Sequence, residues 1–342
     1  MFRRQSIPEV VECVPNFSAG KDRKKVQAIV DVIQQGGGNI LHVDRGEAAN
    51  RTVVTFTGDR HTILEAAWQG VKKASQVIDM RNHQGVHPRL GATDVCPFVP
   101  IQNVSMQDCV AISEKLGERV ARELNIPVYL YEEAARKPER KNLANIRRGE
   151  YEGLKKKMQN PNWQPDFKAE FNARSGALVT GARKFLIAYN VNLNTHDTQA
   201  AQEIARRIRT SGWTIDKDGR KIHKPGIFDA VKAVGWYIEE YQCAQVSMNL
   251  TDYQKTLPHQ VFEKISELAE EKGLKVTGSE VIGLILKQPL LKAGRFYFEK
   301  VGRDLNSVSE KELIEVGIEY LGLNDVQEFD PEKKILEYKI GV

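Results

Sequence analysis

The stretch His83-Gln84-Gly85-Val86-His87-Pro88-Arg89-Leu90-Gly91-Ala92-Thr93-Asp94 gathers two histidines, an arginine and an aspartate. Imidazole titrates nearest to neutrality and is the usual carrier of protons in acid–base catalysis. A guanidinium can hold a carboxylate through two parallel hydrogen bonds. Two histidines four apart also suit a zinc pair on a helix, but Gly85 lies between them and Pro88 disfavours helical backbone at His87. No HExxH glutamate is present and no clear third ligand appears, although Asp94 and Cys96 lie downstream, so no metal is expected. What is left is a general acid/base beside an anion-binding Arg89, or an ordinary exposed pair.

Asp44-Arg45-Gly46 and Asn50-Arg51-Thr52 lie between two expected strands. Gly and Asn suit a hairpin turn on structural grounds alone. In the functional reading, Asp44, Asn50 and Arg51 project from strand ends toward a ligand. Thr180-Gly181-Ala182-Arg183-Lys184 leads to Asn190 and Asn192, two amides on one face of an otherwise apolar strand. Asn is depleted in strands, so the pair is either a ligand contact or a polar strand end before a helix cap at Asn194 or Thr195. Gly36-Gly37-Gly38 lacks the Lys-Ser/Thr of a phosphate loop, and there is no GxSxG. Cys96, in an apolar strand, reads as core.

These groups need a frame. Strands are expected at 10–16, 40–44, 53–58 and 94–101, with amphipathic helices over 21–35 and from Asp59 to Ile78. Ser105 and Asp108 make a capping box for a helix running to Leu124, and residues 127–131 add a strand. Charge dominates 136–158, which reads as a connection with at most one short helix. The order then repeats: strand 185–192, helix 195–210, strands 227–237 and 244–250, a helix from Pro258 to Gly273, and strand 275–280. Each half is β-α-β-β-α-β, the split βαβ sandwich. Helical patterns follow at 291–300 and 309–321, and 335–342 suits an edge strand.

The 342 residues amount to roughly two domains. A 41% hydrophobic and 28% charged composition excludes a disordered chain. Mean hydropathy is −0.44 and no apolar run is long enough to span a bilayer. Arg3 and Arg4 have no apolar segment behind them, so a secretory signal is not expected. Four cysteines without a CxxC fit a reducing cytoplasm. The net charge of +5 is dispersed, compatible with a small polyanionic ligand and unlike a nucleic-acid stripe.

Several motifs carry a resemblance: Glu12-Cys13-Val14-Pro15-Asn16-Phe17-Ser18, Asn50-Arg51-Thr52-Val53, Ile78-Asp79-Met80 and His87-Pro88-Arg89. Gly91-Ala92-Thr93-Asp94-Val95-Cys96-Pro97-Phe98, Gly149-Glu150-Tyr151-Glu152-Gly153-Leu154 and Gly181-Ala182-Arg183-Lys184-Phe185-Leu186-Ile187-Ala188 continue it. In this order, to about residue 325, the chain resembles the glutamate formimidoyltransferases, or formiminotransferases, in their stand-alone form without a cyclodeaminase half. The resemblance implies transfer of a formimino group from N-formimino-L-glutamate to N5 of tetrahydrofolate, in histidine degradation and one-carbon metabolism.

It also implies an α+β fold of two tandem ferredoxin-like subdomains with a ligand cleft between them: 1–182 and 183–330, then an extension at 331–342. His87 matches the family's catalytic histidine, a general acid/base, and Asp44 an aspartate near it. Asn50, Arg51, Arg89, Gly176, Ala177, Arg183, Lys184, Asn190 and Asn192 are the positions implied for substrate and folate. Tetrahydrofolate, with or without a polyglutamate tail, enters as co-substrate and no metal is implied. A cytoplasmic homodimer without nucleic-acid or membrane partners is expected. Two departures stand out: Val86 replaces the family's usual Glu, and residues 168–176 diverge from the animal folate loop, being one residue shorter and lacking its Trp and Pro residues. Formyl transfer between 5-formyltetrahydrofolate and glutamate, a formiminoglycine donor, and a non-catalytic folate-binding protein are the other readings. An RNA-binding relative of the fold would need an RNP1-type aromatic strand, which is missing.

Overall fold

The computed structural model describes residues 8–341 except 48, 86 and 307, so the expectation attached to Val86 lies outside the described residues. The chain divides into two units, Met1–Lys184 and Phe185–Val342.

In the first unit, β1 (Val10–Cys13) and β2 (Asn16–Phe17) are one strand interrupted at Val14-Pro15. Then come α1 (Arg23–Gln35), β3 (Asn39–Gly46), β4 (Arg51–Gly58), α2 (Thr62–Val77) and β5 (Thr93–Gln102). Asp22 caps α1 by accepting the amides of Lys24 and Lys25, and Val26, Ile29, Val30 and Ile33 form its buried face. β3 pairs with β4, β4 with β1 and β2, and these with β5, all antiparallel. The expected βαββαβ is therefore present, with its first strand at the centre.

The unit then extends itself. α3 (Met106–Leu124) opens with the Ser105–Asp108 capping box, and β6 (Val128–Glu132) follows. β7 (Leu178–Ala182) inserts between β5 and β6, parallel to both. The sequence reading had no strand there and saw only a polar motif. Between β6 and β7 lie α4 (Leu143–Arg147) and α5 (Glu150–Met158). The expectation for this charged segment is a connection with at most one short helix, outside any core. Its outward charges conceal Ile146 and Leu154, which are fully buried and complete a second small core with Tyr129, Tyr131 and Val179. An Arg140–Asp166 ion pair at 2.6 Å, with side chains 1% and 5% exposed, fastens the segment.

One face of this sheet, carrying Val11, Cys13, Phe17, Val54 and Phe56, packs on α1–α3. Alternation sends Glu12, Arg51, Thr55 and Thr57 to the opposite face.

The second unit contains β8 (Ile187–Leu193), α6 (Thr198–Ile208), a hairpin of β9 (Trp213–Lys217) and β10 (Arg220–Lys224), β11 (Val231–Ile238) and β12 (Cys243–Leu250). It continues with α7 (Pro258–Glu270), β13 (Val276–Ile282), α8 (Lys287–Lys300) and α9 (Glu310–Tyr320). Its antiparallel order, β11-β12-β8-β13, repeats that of β3-β4-β1-β5. The sequence reading missed the hairpin, whose turn puts Asp218 and Gly219 at φ 54° and 77°. The strand expected from Ile227 starts at Val231, because the amides of Ile227 and Phe228 go to the end of α6. Over the described residues 335–341 the expected edge strand is not formed. Ile335 makes one bridge to Ile285, then Leu336–Ile340 is helical and Glu337 accepts the Lys287 amide at the start of α8.

Candidate functional site

His87, on the loop before β5, holds its Nδ1 2.7 Å from the carbonyl oxygen of Pro88. A carbonyl oxygen only accepts, so this nitrogen carries the hydrogen and Nε2 keeps its lone pair. Burial pulls the imidazole down to about 4, and the guanidiniums of Arg51 and Arg147 push the same way against the Pro88 carbonyl and Asp94. At neutral pH His87 is therefore a neutral proton acceptor.

Arg51 opens β4 on the face away from the helices. Its Nε is buried with no acceptor among the described residues. Burial, then the neighbouring Arg147, lower it to about 10, while Asp94 and Asp44 act against them. Asp44, exposed on β3 and paired with Val53, belongs to the same face. Asp94 is 1% exposed; one oxygen accepts the Leu90 amide at 2.9 Å, and the other closes on Arg147.

Arg147 was not among the sequence candidates, where Arg147-Arg148-Gly149 stood out only as charge. Helical phase separates the two arginines: Ile146 is buried, Arg147 turns inward and Arg148 is exposed. Lys157 fixes this end of α4 by donating to the carbonyls of Asn145, Ile146 and Arg148 at 2.9, 2.6 and 3.1 Å. Burial and the nearby Arg148 and Arg140 lower its ammonium to about 8.

Four other sequence candidates are occupied in holding the loop. The fork of Arg89 is filled by the protein itself: Nη1 donates to Glu150 and Glu152 at 2.9 Å each, and Nη2 to Glu152 at 2.6 Å. Asn50, at φ 47°, accepts the amides of Gly20 and Lys21 at 3.0 and 3.1 Å and donates to the Gln84 carbonyl at 2.9 Å. Gly176 and Ala177 back the loop from behind. A Cβ on Gly176 would lie 2.0 Å from the Leu90 oxygen, and the Ala177 amide donates to that oxygen at 3.1 Å.

The remaining candidates lie elsewhere. Arg183 is four residues past Val179, the partner of Val95, and so about 13 Å up the sheet from the Asp94 end. There its charge opposes the burial that pushes the Glu12 carboxyl up to about 7. Lys184 is exposed next to it. Asn190 and Asn192 are in the second unit, on the sheet face away from α6 and α7. Asn190 donates to Glu280 at 3.0 Å, and Gln245 bridges Asn192 and Glu280 at 2.7 and 3.0 Å. Among the described residues no group of three or more His, Cys, Asp or Glu side chains could hold a metal, and no helix is long and apolar enough to cross a membrane.

Two family profiles match in succession: the formiminotransferase domain, N-terminal subdomain, over residues 10–183, and the formiminotransferase domain over 188–341. The chain is 44% identical to a formimidoyltransferase-cyclodeaminase of Dictyostelium discoideum, over 97% of this chain and 60% of that one. It therefore spans about three fifths of that relative. It is 40% identical to a glutamate formimidoyltransferase of Thermoplasma acidophilum, covering 89% of this chain and 97% of that protein. Its counterpart in Streptococcus pyogenes serotype M1 is 41% identical, over 85% and 94% of the two chains. Matched in order along both units, and at this identity over nearly the full length of two relatives, the chain belongs to the formiminotransferase family.

Proposed function

We propose that the protein transfers the formimino group of N-formimino-L-glutamate to N5 of tetrahydrofolate, with His87 moving the proton. The observation that carries this is the neutral His87, with its lone pair on Nε2, in the electrostatic field of Arg51, whose Nε has no acceptor among the described residues. N5 attacks the amidine carbon, and the new N5–C bond gives a tetrahedral intermediate. His87 accepts the N5 proton on Nε2 and passes it to the glutamate nitrogen as the old C–N bond breaks. The glutamate leaves as a free amine, so one proton is taken up and returned.

Arg51 suits a carboxylate of the donor, a role for which Arg89 is already spent on Glu150 and Glu152. Asp44 suits the cationic amidine. Burial is the main cause of the low His87 pKa, and a bound carboxylate on Arg51 would relieve the repulsion that adds to it, readying the imidazole to carry a proton within the complex. Arg183 and Lys184, about 13 Å along the sheet, would meet the anionic tail of an elongated folate. Both units are read as ferredoxin-like, supported by their shared strand order. A homodimer in the cytoplasm completes the proposal.

Purified protein mixed with tetrahydrofolate and N-formimino-L-glutamate should form 5-formiminotetrahydrofolate, and His87→Ala should lose roughly 10²–10⁴ in kcat while still binding folate. Turnover only with formiminoglycine, or with 5-formyltetrahydrofolate and glutamate, would change the substrate. Folate binding without transfer by the wild type would remove the enzymatic reading.

A further inference from the structure

The mechanism leaves one histidine of the loop unused. His83 is half-buried between the turn that carries Arg51 and the loop that carries His87. Its Nε2 is 3.0 Å from the carbonyl oxygen of Asn50, the residue before Arg51. Its Nδ1 is 3.3 Å from Nε of Arg89, two residues after His87. A carbonyl cannot donate and a guanidinium cannot accept, so one tautomer satisfies both contacts: hydrogen on Nε2, lone pair on Nδ1.

Around this imidazole the turn and the loop meet closely. Asn50 Nδ2 donates to the Gln84 carbonyl at 2.9 Å, and a Cβ on Gly85 would sit 2.3 Å from the Ala49 oxygen. Arg89 is in turn anchored to Glu150 and Glu152 on α5. A line of contacts thus runs from the Arg51 turn through His83 and Arg89 to α5.

We propose that His83 is a positioning residue for the transfer, keying the Arg51 turn to the His87 loop only in its neutral, Nε2-protonated form. A second proton would set an N–H at Nδ1 against the Arg89 Nε–H. The charged groups facing His83 are Arg89 and Lys21, which oppose its protonation, and Glu152, which favours it along with the Asn50 carbonyl. Burial is the largest influence and lowers its pKa. As pH falls, His83 takes up that proton, the contact with Arg89 opens, and Arg51 loses its setting relative to His87.

The inference rests on the transfer reading, and two arms keep the failures apart. In the first, kcat and KM for N-formimino-L-glutamate are followed from pH 8 to 5 in the wild type, His83→Gln and His83→Ala. His83→Gln keeps a donor and an acceptor that do not titrate in this range. It should stay within about 3-fold of the wild type at pH 8 and hold its kcat/KM at low pH where the wild type falls. His83→Ala should lose about 10-fold at pH 8, chiefly in KM. Superimposable pH profiles for the wild type and His83→Gln would overturn the proposal.

The second arm needs no activity: nitrogen NMR of the wild type with labelled histidine. It should show His83 with its hydrogen on Nε2 at pH 8 and gaining a proton below neutrality. An Nδ1-protonated tautomer would overturn the proposal even with transfer intact. A wild type without transfer at any pH would sink the functional reading alone, leaving this arm to decide the contact.

Discussion

Arg51 and Arg147 each bury an Nε with no acceptor among the described residues, and Asp94 opposes the lowering of Arg51 while closing on Arg147. Two guanidiniums thus share a carboxylate that pairs with only one of them. Asp44 also counters the charge of Arg51, yet neither Nε has an acceptor among the described residues, and a substrate carboxylate is a group that would supply one.

Replacing Arg51 by glutamine keeps a hydrogen-bonding side chain but shortens it and removes the charge. Loss of a charged hydrogen bond to substrate is worth about 1.5–3 kcal/mol, so kcat/KM should fall roughly 10- to 100-fold. With that cation gone, His87 should titrate above about 4, because Arg51 is the largest of the charges lowering it. Proton NMR of the His87 ring measures the shift; an unchanged pKa would place Arg51 outside the electrostatic field of the imidazole.

Gly176 sits at φ 67°, with the Leu90 oxygen 2.0 Å from where a Cβ would be. Gly176→Ala has to move the strand of backbone that supports the His87 loop. Urea denaturation should show a loss of about 3 kcal/mol, combining left-handed strain with overpacking. A loss below 1 kcal/mol would mean that the two backbones separate easily.

His259 is 6% exposed on α7, stacked on Phe296 at 4.8 Å between ring centres, and burial lowers it to about 4. The unfolded chain binds that proton near pH 6.5 and the folded chain does not, so stability falls as pH drops from about 6.5 to 4 and the loss levels off below. For a shift of this size the contribution is about 3 kcal/mol. His259→Phe should flatten this part of the stability–pH curve. A variant curve parallel to that of the wild type would assign the acid sensitivity to other groups.

The reach of the sequence differed from residue to residue. The β-branched run of β1, the helical apolar face of α1 and the Ser105–Asp108 capping box made these elements legible because local rules and burial agree there. β7 was hidden because Gly181 and Ala182 lack a strand's usual composition; Gly181 is required by the Tyr131 carbonyl, 2.3 Å from where its Cβ would be. His87, Arg51 and Asp94 fall in motifs, so they were visible as types, and Arg51 and Asp94 do lie in the electrostatic surroundings of His87. Their partners were not visible. Arg89 meets Glu152 across 63 positions of sequence and Arg147 meets Asp94 across 53, and no spacing rule links residues so far apart. For the same reason the bonds of the Asn50 amide to backbone at Gly20, Lys21 and Gln84, 29 to 34 positions away, were not visible.

The insertion of β7 between β5 and β6 bears on how the molecule comes into being. A chain emerging from the ribosome can assemble β1–β5 as an antiparallel set, but β6 has no strand to join until residues 178–182 have been made. During that interval the outer edge of β5 presents unpaired backbone, the usual template for association with other chains. Parallel pairing across so long a crossover is slow. The same late arrival brings Gly176 and Ala177 against Leu90. The loop bearing His87 is therefore set at the moment the sheet closes, when β5 also loses its exposed edge.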